Sequence, residues 1–365
     1  MDCRLWSPRH LVPHYKDTED TGPPDHCPGA VVFSPPFGNF HLHSTTPKAD
    51  SSTKMRNHTA VTEFILLGIP ETEGLETALF FLFSSLYSCT LLGNVLILAA
   101  ILSSSRLHTP MYYFLGNLSI FDLSFSSTTV PKMLSYLSGH SQGISFQGCA
   151  AQLFFYHFLG CTECFLYTVM AYDRFVAICY PLRYMVIMNH RVCSVLASGT
   201  WMSGCVHAII LTSLTFQLPY CGSNQVAYYF CDIPAVLPLA CEDTSLAHRV
   251  GFTNVGLLTL ICLFLIFVSY THIGICISKI RSTEGRQRVF STCSAHLTAL
   301  LCAYGPVITI YLQPNPSPLF SAVIQMLNNL VTPMLNPLIY SLRNKDVKSA
   351  LKNIFFKRTH AVENE

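Results

Sequence analysis

VGFTNVGLLTLICLFLIFVSYTHIGICIS, residues 250–278, runs for 29 residues without an Asp, Glu, Lys or Arg. The apolar core of a bilayer takes about 20 such residues as a helix. Working outward, charge-free runs recur at Thr77–Ser105, Met133–Thr162, Val192–Cys231 and Val289–Leu342. The last is interrupted by Gln313-Pro-Asn-Pro-Ser-Pro318, so it reads as two spans joined by a tight polar turn. Six helices follow from these gaps. A seventh fits between Met111 and Leu137, where an apolar run contains Asp122 and meets Lys132 near its end.

The expected spans are Ala78–Leu102, Met111–Leu137, Cys149–Tyr172, Val192–Phe216, Val250–Ile277, Ser291–Leu312 and Leu319–Leu342. The fold class is therefore an all-α membrane protein, a seven-transmembrane helix bundle. Composition agrees: of 365 residues, 50% are hydrophobic and 12% charged, about half the charged fraction of an ordinary soluble domain. A net charge of +2 gives no basic field for nucleic acid, and no phosphate-cradling glycine loop or zinc-protease helix is present. No repeat of 20 to 50 residues argues for a solenoid or propeller.

Orientation follows from the basic residues between spans. Arg106, Arg174, Arg183, Arg191, Lys279, Arg281, Arg286, Arg288 and the six Lys/Arg from Arg343 to Arg358 fall on one side, whereas the opposite loops hold only Arg249. The positive-inside rule puts the basic side in the cytosol and the N-terminus outside. Residues 1–54, with eight of the 21 prolines, read as a disordered extension without the pattern of a cleaved signal peptide. Residues 55–77 form an outer N-terminal segment with the glycosylation sequon Asn57-His-Thr59, residues 78–342 the helical domain, and residues 343–365 a short cytoplasmic tail.

Of 16 cysteines, Cys149, Cys221, Cys231 and Cys241 face the oxidising side, where three disulfide pairings are open. The others fall mostly inside spans and read as packing residues. Cys161-x-x-Cys164 lacks the further ligands of a zinc site.

Asp122 and Glu163 lie at matched depth, each roughly 15 Å from the inner end of its span, with Asn94 at a similar height. Carboxylates there must share a proton, take a cation such as sodium, or contact water. They form either a conformational switch or a static packing network. On the third span, Tyr156, Gly160, Glu163 and Tyr167 form a stripe at helical spacing, flanked by His157, Cys161, Cys164 and Thr168, which faces the bundle interior. Its outer part, with Asn254, Tyr304 and Tyr311 from later spans, is the candidate ligand pocket, carried by Tyr156, His157, Gly160 and Cys161.

Four segments carry a more specific signal. Leu107-His-Thr-Pro-Met-Tyr-Tyr-Phe-Leu115, Met170-Ala-Tyr-Asp-Arg-Phe-Val-Ala-Ile-Cys179, Phe290-Ser-Thr-Cys-Ser-Ala-His-Leu297 and Pro333-Met-Leu-Asn-Pro-Leu-Ile-Tyr-Ser-Leu-Arg-Asn344 occur in the order and on the helices found in vertebrate odorant receptors. The chain from about Asn57 to Lys345 resembles that family, a branch of the rhodopsin-like G-protein-coupled receptors. The resemblance implies that Asp173 and Arg174 engage the G protein. It implies that Tyr270, with Asn336, Pro337 and Tyr340, rearranges on activation, and that Asp122 and Glu163 form a cation site. It also implies the pairings Cys149–Cys231 and Cys221–Cys241, with the outer loop between Phe216 and Arg249 as a lid.

By the same resemblance, the ligand is a small volatile odorant. The partner is the olfactory stimulatory heterotrimeric G protein, the output a rise in cyclic AMP, and the location the plasma membrane of olfactory cilia. Two departures stand out: Phe175 replaces the commoner Tyr, and Arg288-Val289 the commoner Lys-Ala, which should alter coupling efficiency rather than abolish it. Residues 1–54 are absent from typical members; a start at Met55 would leave 311 residues. A same-fold receptor for a non-olfactory ligand is the alternative. A transporter would show inverted repeats or charged pore rings, and none is visible. An enzyme is not expected, because Ser294 and His296 are two residues apart on a helix and point in different directions.

Overall fold

The computed structural model describes residues 61–312, 317–341 and 345–362. The Asn57 sequon, the expected extension and Leu342 lie outside the described residues. The long helices are α1 (Glu76–Ser103), α2 (Pro110–Leu137), α3 (Phe146–Cys179), α4 (His190–Phe216), α5 (Ser245–Ser278) and α6 (Thr283–Leu312). The seventh, α7, comprises Pro318–Met326 and Thr332–Ser341 joined through a π-helical segment, Leu327–Val331. An eighth helix, α8, spans Lys345–Val362.

Local chemistry explains several of these boundaries. The hydroxyl of Ser145 accepts from Gly148 N at 3.0 Å at the start of α3, and Asn189 Oδ1 accepts from Val192 N at 3.1 Å at the start of α4. Ser317 caps α7 in the same way, followed by Pro318, whose missing N–H costs nothing in the first turn. The sequence places α3 from Cys149 to Tyr172, but the helix runs seven residues further inward, and α6 begins eight residues before Ser291. A charge gap marks only the lipid-embedded part of a helix; its hydrogen-bond ladder continues into water. The tail expected from residue 343 contains α8, because Val347, Ala350, Leu351 and Ile354 repeat at helical spacing, and Val347 and Ala350 are buried.

Helix α3 is the central post, packed against α2, α4, α5 and α6, while α1 lies on α2, α7 and α8. Among the described residues, four helices, α1, α3, α4 and α5, are long and apolar enough to cross a membrane. Helix α2 is diluted by Ser, Thr, Asp122 and Lys132, α6 opens with charged residues, and α7 is divided. Outward faces carry Phe81, Leu92, Leu260, Phe264, Phe267 and Leu301 well exposed, a surface that suits lipid rather than water.

A small sheet covers one end. Strand β1 (Glu63–Leu66) pairs antiparallel with β2 (Gly143–Ser145) and parallel with β3 (Gln225–Val226). Period-two alternation buries Phe64 and Leu66, and Phe64 meets the rings of Phe146 and Tyr220 at 5.9 and 5.5 Å. Burial pushes the Tyr220 phenol up to about 12, and its hydroxyl donates to Thr215 O at 2.9 Å. Disulfides join Cys149 to Cys231 and Cys221 to Cys241. A third joins Cys179 to Cys276, two residues that the sequence reading assigned to packing.

Helices α3 and α4 approach closely at Gly204. A Cβ there would run into the Thr162 hydroxyl and stand 2.6 Å from Phe158 O, whereas one at Gly199, on the same helix, would meet nothing within 4 Å. Gly204→Ala should therefore cost about 1–3 kcal/mol through overpacking. Gly199→Ala should cost nothing. Thermal unfolding of the purified variants checks this, and equal losses at both positions would contradict the close approach.

Candidate functional site

The polar groups of the bundle fall into three tiers. In the outer tier, His157 Nε2 of α3 stands 3.2 Å from Asp232 Oδ1 of the lid, and the same oxygen accepts from Ile233 N at 2.8 Å. One helix over, His207 Nδ1 of α4 lies 2.7 Å from Asn254 Oδ1 of α5. An amide oxygen only accepts, so Nδ1 carries the proton and Nε2 keeps a bare lone pair. The two imidazole rings are 6.1 Å apart. One turn inward, a Cβ on Gly160 would meet nothing within 4 Å, although the residue lies on the face of α3 that carries Tyr156 and Glu163. Buried Cys161 follows it.

Tyr156, expected beside the ligand, packs against α2, the loop and α7. Its ring stacks on Phe125 of α2 at 5.4 Å and meets Phe230 of the lid at 4.9 Å, while its hydroxyl donates to Gln325 Oε1 of α7 at 2.9 Å. Tyr304 is also engaged, donating to Cys164 O at 3.2 Å and bracing α6 against α3. The side chain of Tyr311 lies outside the described residues. Of the expected pocket residues, His157 and Asn254 belong to the polar cluster of α3, α4, α5 and the loop, and Gly160 and Cys161 follow His157 on α3. Gln152 holds that loop down: its Oε1 accepts from Cys231 N at 2.8 Å and its Nε2 donates to Thr128 O at 2.9 Å.

In the middle tier, Asn336 Nδ2 donates to both oxygens of fully buried Asp122, at 3.0 and 3.1 Å. Tyr167 donates to Asn336 Oδ1 at 3.3 Å. Asn94 Nδ2 donates to Pro333 O at 3.1 Å, a carbonyl whose usual helical partner would be the N–H that Pro337 lacks. Asn94 Oδ1 is buried without a partner, and Glu163 is buried on the neighbouring face of α3. Two carboxyls and a free amide oxygen are hard oxygen donors of the kind that suits an alkali cation.

In the inner tier, Asp173 accepts from the Tyr184 hydroxyl at 2.8 Å. Arg174 is buried, with no ion pair among the described residues. His296 of α6 is fully buried, with Nδ1 2.7 Å from the Tyr270 hydroxyl of α5. Its ring lies 6.1 Å from Tyr167 of α3 and 6.5 Å from Tyr340 of α7. His296 thus joins four helices; the sequence reads Ser294 and His296 as structural or as part of the G-protein surface, without these partners. His207 and Gln325 were missed as well. The signal was available: both are polar side chains inside charge-free runs, where each needs a partner.

Comparison with known proteins fits this geometry. The profile of the olfactory receptor family matches residues 83–358. Olfactory receptor 10D4 of Homo sapiens is 84% identical over 81% of this chain and 99% of its own length. Olfactory receptor 10D3 is 67% identical in Homo sapiens, over 85% of this chain and 99% of its own, and 68% identical in Mus musculus, over 82% and 96%. With the olfactory receptor profile matching residues 83–358 and relatives of this identity covering four fifths of it, the chain belongs to the olfactory receptor family, within the rhodopsin-like G-protein-coupled receptors.

Proposed function

We propose that the chain binds a small, largely apolar volatile in the outer tier and passes the event to a stimulatory heterotrimeric G protein that raises cyclic AMP. The observation that carries this reading is the polar cluster of His157, His207 and Asn254 against the disulfide-anchored loop, with Gly160 one turn along α3, where an added Cβ would meet nothing within 4 Å. Apolar walls with a few directed polar groups suit such a ligand. His207 Nε2 offers an acceptor and Asn254 Nδ2 a donor. Bound ligand favours one of two helix packings, and a preference of a few kcal/mol is enough to shift their populations strongly.

In this reading the basic ends of the helices lie in the cytosol, the N-terminus lies outside, and the chain works in the plasma membrane of olfactory cilia. Asp173 and Arg174 meet the G protein. Their engagement requires Arg174 to leave its buried position and Tyr270 to exchange its bond with His296 for new contacts. Asp122, Glu163 and Asn94 would hold a sodium ion, whose charge would offset the two carboxylates when bound. The chain's own residues hold the resting packing: Asn336 orients Asp122, and Tyr167 orients Asn336.

Two experiments test these assignments. A cyclic-AMP reporter in cells expressing the chain, screened with a panel of volatiles, should return at least one agonist. Gly160→Phe should raise its half-maximal concentration by about tenfold or more, the equivalent of ~1.4 kcal/mol of lost binding, at unchanged surface level. An unchanged response in that variant would remove Gly160 from the pocket. For the middle tier, replacing sodium with a bulky organic cation should raise basal nucleotide exchange in membranes carrying the parent chain. Asp122→Asn should abolish that dependence, and a variant that kept it would sink the cation assignment.

A further inference from the structure

We infer that Cys179 and Cys276 form a reversible thiol–disulfide modification site at the inner end of the bundle, oxidised by a small-molecule disulfide of the glutathione class. Cys179 is the last residue of α3, and Cys276 lies two residues before the end of α5. They are bonded with Cα atoms 5.8 Å apart across a sequence separation of 97, within the span that a disulfide bridges without backbone movement.

Two observations set this bond apart from Cys149–Cys231, whose two residues are completely buried. Cys179 and Cys276 are only partly buried, at or near the ends of their helices. In sequence Cys179 falls between Arg174 and Arg183, and Lys279 and Arg281 follow Cys276, on the side that the proposed topology places in the cytosol, and the inference rests on that reading. Glutathione there keeps thiols reduced, so a pair held at bonding distance is made and broken with the redox state rather than fixed at folding. The flanking arginines and lysines favour the thiolate that begins the exchange.

The chemistry balances. The thiolate of one cysteine attacks a sulfur of the small disulfide, forming a mixed disulfide and releasing one small thiolate. The second cysteine, as thiolate, attacks the protein sulfur of that mixed disulfide and releases the second. Two protein thiols are oxidised to one disulfide, and one small disulfide is reduced to two thiols. Excess small thiol reverses both steps.

The bond falls where it can act on signalling. Arg174 lies five residues before Cys179 on α3, and Tyr270 six before Cys276 on α5, roughly 8–9 Å along each axis. Between these points Phe175 of α3 meets His272 of α5 with ring centroids 5.6 Å apart, and Cys179 Sγ lies 3.7 Å from His272 O. The crosslink fixes the α3–α5 spacing at which Arg174 is buried and Tyr270 is bonded to His296. Oxidation therefore holds the quiet packing, and reduction frees the inner ends to separate.

Membranes from cells expressing the full chain would be treated with oxidised glutathione, trapped with a thiol-alkylating reagent and mapped by peptide mass. Both cysteines should be alkylated before treatment, joined to each other afterwards, and alkylated again after dithiothreitol. Basal nucleotide exchange should fall by about fivefold on oxidation. Cys179→Ser and Cys276→Ser should each remove that sensitivity. Alkylation of both thiols despite treatment, or a crosslink already complete and resistant to reduction in untreated cells, would overturn the proposal. So would an equal response to oxidation in either serine variant. The mapping needs neither odorant nor G protein, so its failure is separable from failure of the receptor reading.

Discussion

A carboxylate in the middle of a lipid-embedded bundle has no water to lean on, and its partners must come from other helices. Asp122 meets this demand through the amide of Asn336, which gives both oxygens a donor. That contact ties α2 to α7, and its neighbours extend it: Tyr167 brings in α3, and Asn94 brings in α1 through the carbonyl of Pro333. Van der Waals contact in lipid discriminates poorly between helix arrangements, because acyl chains are as apolar as leucine. The polar contacts therefore carry much of the specificity of the arrangement, and remodelling them is a local route to a global change in packing.

The outer end is organised on another principle. Three chain segments distant in sequence form one three-stranded sheet, and two disulfides pin the long loop that supplies its third strand. The Phe64, Phe146 and Tyr220 rings fill the space beneath it, and Gln152 clamps the backbone of Cys231 from below. This cap places Asp232 Oδ1 3.2 Å from His157 Nε2 of α3. Loop and helix thus contribute to one polar cluster.

Charge spacing made six of the seven helices legible, because the penalty for a bare charge in hydrocarbon is large; α2, with Asp122 and Lys132, had to be placed between the gaps. It did not reveal where helices end in water, and so α3 and α6 are longer than their gaps. The depth of Asp122 and Glu163 could be counted from the sequence, but the partner of Asp122 could not: Asn336 is more than 200 residues away, and only the family resemblance drew attention to it. Tyr156 and His207 mark the same limit. Residues at equal height on a bundle differ by which neighbour they face, and facing depends on helix rotation, which periodicity within one helix does not fix. Strand β1, at four residues, is too short to show more than two cycles of alternation.

The π-helical segment of α7 has a consequence for how the cap and the bundle communicate. It carries Asn329, whose Nδ2 donates to the Tyr229 hydroxyl of the lid at 3.3 Å. A helix that loses or gains one residue from such a bulge turns everything beyond it by about 100°. Rewinding α7 would swing Asn329 away from Tyr229, so the cap and the seventh helix are geared together, and the winding of one is felt by the other.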